Sequence, residues 1–348
     1  MAQLKFNNVG IRAMTACVPK TISKNADLVS FMPQEEVDKI INAVGIKEKR
    51  IADPDVCASD LCVKAAEQLF KDNNIAPSEI DMVLFLSQTP DYIIPATSPL
   101  IQHRLGMPTS TAALDLSLAC SGYVYALSTA YAYASTEGVN NVLLLVGETF
   151  SKIVNPKDKI NAPLYGDAGT ATLVSKGDFQ PSYFTLNSNG KGSEAVHIHS
   201  GGYRHPTTNA DLIEKTDSEG NIRNNLEINM NGMDVFNFAL STVPKSIKEV
   251  TEFSGATLEN VDYLVLHQAN KFMTDFIVKK LKFDNTKVPY CLDQFGNTSS
   301  ASIPLTICSE LSGKLNNKNI TMCGFGAGLS WGSASINYTA NISHLIEY

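Results

Sequence analysis

No stretch of this sequence approaches the run of about eighteen apolar residues that a membrane helix needs, so no span is expected. The opening Met-Ala-Gln-Leu-Lys-Phe-Asn-Asn has no apolar core behind its first charge and does not read as a secretory signal. A cytoplasmic protein is the expectation. Basic residues are in the minority, and the net charge is −7. That argues against a general nucleic-acid binder, which needs a basic face to neutralise phosphates, and leaves room only for a small local basic patch. Low-complexity segments are absent. The seven cysteines, Cys17, Cys57, Cys62, Cys120, Cys291, Cys308 and Cys323, are scattered and form no C-x-x-C pair. They make neither a disulfide framework nor a zinc-site pattern. Reduced thiols fit better, and most of them read as small core residues.

What remains is an ordinary globular balance: 348 residues, 44% apolar and 18% charged, enough for one large domain or two smaller ones. Apolar strands alternate with amphipathic helices, which predicts an α/β fold. The pattern predicts a helix over 59–74 with Ser59 as N-cap, a buried strand over 80–86, and another over 112–116. A helix is expected from about Cys120 to Thr136. Val142 to Val146 is all aliphatic, as suits a central strand covered on both faces. The second half repeats the plan, with a helix over 235–253 and a strand over 261–266. Ile80-Asp81-Met82-Val83-Leu84-Phe85 rhymes with Val261-Asp262-Tyr263-Leu264-Val265-Leu266, at an offset of 181 residues. Asn141-Val142-Leu143-Leu144-Leu145-Val146-Gly147 rhymes with Asn319-Ile320-Thr321-Met322-Cys323-Gly324. Two related halves are the expectation. Between them, residues 191–225 form a polar excursion of loop and edge strand.

Four segments carry residues with chemistry. Cys120 follows a strand and a sharp turn, among small neighbours Ala119, Ser121 and Gly122. A thiol at a helix start meets unpaired N–H groups and should be the more reactive for it; a plain buried cysteine fits the same pattern. His267 ends the strand over 261–266, where chemistry gathers in open α/β sheets, although a histidine there can also be structural. Both Cys120 and His267 lie at strand-to-helix junctions, one in each half. Asn297 stands in a glycine-preceded turn, where an Asx turn or N-cap is the ordinary explanation. Gly324-Phe325-Gly326-Ala327-Gly328 lies between two strand-like runs and reads as a tight hairpin whose backbone approaches something closely. Its exposed N–H groups could stabilise an oxyanion. Two side signals remain: His197 and His199, with His205 near, read as an exposed edge strand rather than a metal site, and Asp167 could be taken for a catalytic acid.

Taken in order, Ala119-Cys120-Ser121-Gly122, Tyr165-Gly166-Asp167-Ala168-Gly169, His267-Gln268-Ala269-Asn270, Gly296-Asn297-Thr298-Ser299-Ser300-Ala301-Ser302 and Gly324-Phe325-Gly326-Ala327-Gly328 resemble β-ketoacyl-[acyl-carrier-protein] synthase III, of the thiolase superfamily. The resemblance implies an obligate homodimer with a five-layer αβαβα thiolase fold, its halves divided here as 1–177 and 178–348. It implies that Cys120 takes an acyl group from a thioester. His267 and Asn297 would then stabilise the enolate formed when the malonyl extender on acyl carrier protein loses carbon dioxide. The N–H groups of Cys120 and Ala327 would form the oxyanion hole, and Phe325 with the partner's Ile94 would shape the acyl pocket. No metal or redox cofactor is called for. Where the family stacks a coenzyme A adenine, this chain has Asp38, with Asn42 and Lys159 at the neighbouring positions, which favours a carrier-bound donor. The family's docking arginine is replaced by Phe272, leaving Lys271, Lys279 and Lys280 as the candidate carrier-docking residues. The alternatives are acyl transfer to an alcohol or amine, a cysteine thioesterase, and a non-catalytic subunit, against which the intact Cys120, His267 and Asn297 weigh.

Overall fold

The computed structural model describes residues 2–348. Its strands are β1 (Ala2–Phe6), β2 (Val9–Val18), β3 (Met82–Leu86), β4 (Ala112–Leu116), β5 (Asn141–Glu148), β6 (Ala168–Lys176), β7 (Ser182–Ser188), β8 (Tyr263–Leu266), β9 (Lys318–Gly326), β10 (Ser330–Tyr338) and β11 (Asn341–Glu347). The longer helices are α1 (Gln34–Val44), α2 (Ala58–Asn73), α3 (Thr97–Arg104), α4 (Gly122–Ala134), α5 (Gly232–Phe253), α6 (Lys271–Leu281) and α7 (Ser302–Glu310). None is long and apolar enough to cross a membrane. The first sheet runs β11-β2-β6-β5-β3-β4, and the second β1-β7-β10-β9-β8. The ends of the described chain exchange sides: β1 borders the second sheet and β11 the first.

Strand alternation builds the layers. On β5, Leu143 and Leu145 pack outward with α2, while Val142, Leu144 and Val146 point inward. On β8, Leu264 and Leu266 face α5 and α6, while Val265 joins the inner core. The inner core also holds α4 and α7, which lie between the sheets. The result is five layers, αβαβα. Each fully buried Leu or Val in it contributes about 1.5–3 kcal/mol. The internal repeat extends to the pairing itself. Met82 faces Val142 in the first sheet and Tyr263 faces Ile320 in the second, the same register in both rhymes.

Several element boundaries differ from the sequence expectation. Helix α2 begins at Ala58 with Cys57 as its cap residue, and Asp60 accepts from the Cys57 N–H. Ser59, expected as the cap, is turned aside and donates to Asp91 at 2.8 Å. Residues 77–79 form one 3₁₀ turn, so β3 starts at Met82 rather than at Ile80. The junctions that hold Cys120 and His267 are not counterparts. His267 follows β8, the repeat of β3, whereas Cys120 follows the edge strand β4. The polar excursion is ordered by short turns and paired two-residue strands, Val196–His197 with Asn229–Met230 and Lys215–Thr216 with Ile222–Arg223.

Candidate active site

A cavity of about 490 Å³ opens between the halves, with Cys120, His267 and Asn297 all on its wall. Cys120 occupies a turn after β4; helix α4 begins two residues later, at Gly122, with Ser121 as the cap residue. The β9–β10 hairpin closes over this turn. Ser121 and Ser330 hydroxyls meet at 2.6 Å. A Cβ on Gly326 would stand 2.8 Å from the Cys120 Cβ and 3.1 Å from its Sγ, closer than side chains pack. The close approach expected of this glycine-rich segment is therefore to the cysteine itself. Replacing Gly326 with Ala should cut Cys120 acylation tenfold or more while the far-UV circular dichroism stays unchanged, because the added methyl takes the space beside the thiol. Intact mass against time measures it; an unchanged rate would remove the argument for the glycine.

The Cys120 thiol differs from the expectation of an activated thiolate. Burial pushes it up to about 12, against a 3.5 Å contact with the Ser299 hydroxyl that acts the other way, and the nearby Glu148 raises it further. Desolvation outweighs what the helix start offers. The thiol is thus the resting form, and its proton must leave as a substrate arrives.

His267 is 1% exposed. Its backbone N–H donates to the Cys323 carbonyl at 2.9 Å, and its ring stands edge-on to Phe325 at 5.4 Å. Burial pulls its imidazole down to about 3, so the ring is neutral at physiological pH. Its Nδ1 lies 2.7 Å from the Ser302 hydroxyl.

Asn297 follows Gly296, whose φ of 66° is a left-handed conformation that favours glycine. The backbone of Asn297 pairs with the segment Tyr165-Gly166: its N–H donates to Leu164 at 2.8 Å and its carbonyl accepts from Gly166 at 3.1 Å. Its side-chain oxygen accepts from the Ser299 N–H at 2.9 Å. This is the Asx turn that the sequence allowed, and it leaves the amide NH₂ free for the cavity. Ser299 itself is held at a φ of 51°, uncommon for a serine, with its hydroxyl at Cys120. Asp167 is fully buried and accepts from Ala52 and Ser151, away from the cavity wall.

Among the other sequence candidates, Phe325 and Ala327 line the cavity. Ile94 does not: it is 81% exposed, outside the cavity of its own protomer, beside exposed Tyr92 and Ile93. Lys271 is ion-paired with Asp275, and Lys280 donates to the Leu240 carbonyl at 2.9 Å. Lys271 and Lys279 border a separate groove together with Asn42. Asp38 accepts from Gln34, and Lys159 pairs with Glu36 at 3.1 Å, which brings residue 159 against α1. His199 and His205 stack at 4.9 Å, while His197 reaches the cavity wall. No group of three metal-ligating side chains with suitable placement occurs among the described residues.

Three features escaped sequence reasoning. Glu148, at the end of β5, is fully buried and binds the Ser87, Thr89 and Ser300 hydroxyls and the Gln88 N–H. Burial pushes its carboxyl up to about 7. An acid ending an aliphatic strand was the available signal. Ser302 had no signal beyond its motif. Ile198 on the polar excursion and Met230 just beyond it wall the cavity.

Models of the family 3-oxoacyl-[acyl-carrier-protein] synthase III match residues 114–190, and of its C-terminal region residues 251–338. These two segments hold Cys120, and His267 with Asn297. A β-ketoacyl-[acyl-carrier-protein] synthase III of Desulfitobacterium hafniense is 36% identical over 337 residues, 95% of this chain and 98% of that one. The chain belongs to the 3-oxoacyl-[acyl-carrier-protein] synthase III family. It is therefore an enzyme, a transferase that condenses acyl units. A 3-oxoacyl-(acyl-carrier protein) synthase from Burkholderia xenovorans superposes with a TM-score of 0.93 at 35% identity, covering 100% of this chain and 99% of that one. The priming β-ketosynthase of the R1128 polyketide pathway does so at 0.82 and 26% identity, covering 96% and 97%.

Proposed function

We propose that this synthase carries its acyl group as a thioester on Cys120 and condenses it with malonyl carrier protein to a β-ketoacyl product. The observation that carries this reading is the meeting of Cys120, a neutral His267 and the free amide of Asn297 on one cavity wall. In the first step the Cys120 sulfur attacks the thioester carbonyl, its proton passes to the departing thiol, and the oxyanion is held by backbone N–H groups of Cys120 and Ala327. In the second, malonyl loses carbon dioxide, and the electron pair left behind spreads onto the thioester oxygen. Two neutral donors, His267 and Asn297, stabilise that oxygen, so neither a strong base nor a metal or redox cofactor is required. The enolate carbon then attacks the Cys120 thioester, the C–S bond breaks, and the released thiolate takes a proton from water to restore the thiol. The names of relatives 34% and 36% identical to this chain, β-ketoacyl-[acyl-carrier-protein] synthase III, support a carrier-bound substrate.

A homodimer accompanies this reading. Exposed Leu114 on the open edge strand β4, and Tyr92, Ile93 and Ile94 on the loop leading into α3, whose first turn Asp115 of β4 caps through the Thr97 and Ser98 N–H groups, form an apolar surface fit for a second copy. Ile94 would then reach the partner's pocket. Carrier docking is assigned to α6, where Lys279 borders the groove and makes no ion pair among the described residues. Lys279→Glu should raise the apparent KM for carrier-bound malonyl severalfold and leave Cys120 acylation by a small thioester alone. Equal effects on both substrates would mean a damaged site instead.

The function is tested by supplying acyl-coenzyme A or acyl-carrier donors, with and without malonyl carrier protein, and following carbon dioxide release and the β-ketoacyl product. An acyl-enzyme that forms but never condenses would replace this reading with transfer to water or another acceptor.

A further inference from the structure

We infer that Ser302 is a positioning residue that sets the tautomer of His267, donating its O–H to Nδ1 so that the ring's proton sits on Nε2 and faces the cavity. The inference deepens the proposed function and rests on the donor role given there to His267.

The argument is one of donors and acceptors in a closed space. Ser302 and His267 are each 1% exposed, and their contact is 2.7 Å. A neutral imidazole has one N–H and one bare nitrogen, and the group facing one nitrogen decides the other. The Ser299 backbone also favours the protonated form of the ring, which is the effect of an accepting carbonyl. A carbonyl only accepts, so left alone it would draw the proton onto the inner nitrogen and leave a bare nitrogen toward the substrate. That is the wrong arrangement for stabilising an oxyanion. The serine hydroxyl can reverse it, because it can donate.

The surroundings favour donation. Ser302 opens α7, where serine hydroxyls commonly bond back to a backbone carbonyl of their own turn. Thr306 does so, donating to the Ser302 carbonyl at 2.7 Å. The Ser302 hydroxyl turns to the imidazole instead, and it has no second partner among the described residues. Were Nδ1 the donor, the serine O–H would be a buried donor with no acceptor, which costs about 1–3 kcal/mol. With the serine donating, both of its partners' needs are met, and the remaining N–H is free for the reacting oxygen. The Ser299 carbonyl meanwhile accepts the Ser302 backbone N–H, so it is not left empty.

Nitrogen-15 labelling of histidine reads which ring nitrogen of His267 carries the proton, with His267→Ala identifying its signals. The wild-type enzyme should show Nε2–H. In Ser302→Ala the proton should move to Nδ1, and decarboxylation of carrier-bound malonyl should fall by on the order of a hundredfold with Cys120 acylation unchanged. Ser302→Thr, which keeps the hydroxyl, should retain Nε2–H. A wild-type enzyme with Nδ1–H, or an alanine variant that keeps Nε2–H, overturns the inference, and the wild-type spectrum decides even where the variant does not fold. If the proton moves as expected but condensation continues at full rate, the tautomer assignment stands and the donor role of His267 fails.

Discussion

Cys120→Ala is expected to take up no acyl group at all: intact mass after exposure to a thioester donor should show one addition on the wild type and none on the variant. Six other cysteines compete for the label in principle. Cys17, Cys62, Cys291, Cys308 and Cys323 are buried in the core, and burial pushes Cys17, Cys291 and Cys323 up to about 12. Cys57 is partly exposed, yet it caps α2 and lines no cavity described above. What distinguishes Cys120 is therefore access, since its thiol is pushed up as far as theirs are. A high resting value also makes acylation base-dependent. The thiolate fraction grows with pH, so the rate of acylation by a poor donor should climb throughout the range from 6 to 9 and show no plateau. Addition that persists in Cys120→Ala would remove the central claim, and a plateau near neutrality would show that substrate binding or a partner group lowers the thiol.

The second large effect falls on His267 and Asn297. Each replaced by Ala should leave acylation of Cys120 near the wild-type rate and slow malonyl decarboxylation by on the order of a hundredfold or more, since one preformed donor to the enolate oxygen is lost. The pair should be less than additive if both serve one oxygen. The pH dependence carries a sign. Burial disfavours the charged imidazole and pulls proton binding from 6.5 down to about 3. His267 therefore stays neutral as pH falls through 6.5, and the decarboxylation rate should show no break there. The same shift works against stability: the unfolded chain gains a proton on this histidine below about 6.5 while the folded one does not, so stability declines as pH falls from there toward about 3. Wild-type condensation in both single variants would end the enolate-stabilising assignment.

Much of the fold was legible because burial on two faces leaves a plain mark. Val142 to Val146 could be a central strand and little else, and it is the middle of β5. The rhyme between 80–85 and 261–266 located β3 and β8, and the shared register with β5 and β9 shows that the likeness is structural. Boundaries were less legible. Ser59 looked like a cap because serine commonly is one, but a tertiary partner, Asp91, outbid the helix for its hydroxyl. In the site, the order of the motifs located Cys120, His267 and Asn297 on the cavity wall. The protonation of the cysteine was misread, since a helix start is a local property and desolvation is a tertiary one. Ile198 comes from a polar stretch without period and Met230 stands just past its end, so no local pattern marks them as cavity wall. Glu148 and Ser302 act through partners 152 and 35 residues away; an acid ending an aliphatic strand marks the first as unusual, but a single sequence does not name the partner of either.

The contact between Cys120 and Ser299 joins residues 179 apart in the chain. Such a contact exists only where the two halves of the chain have met, because its two ends stand on separate segments with no local link between them. A chain whose halves have not met can hold many of its strands and helices and still lack the site.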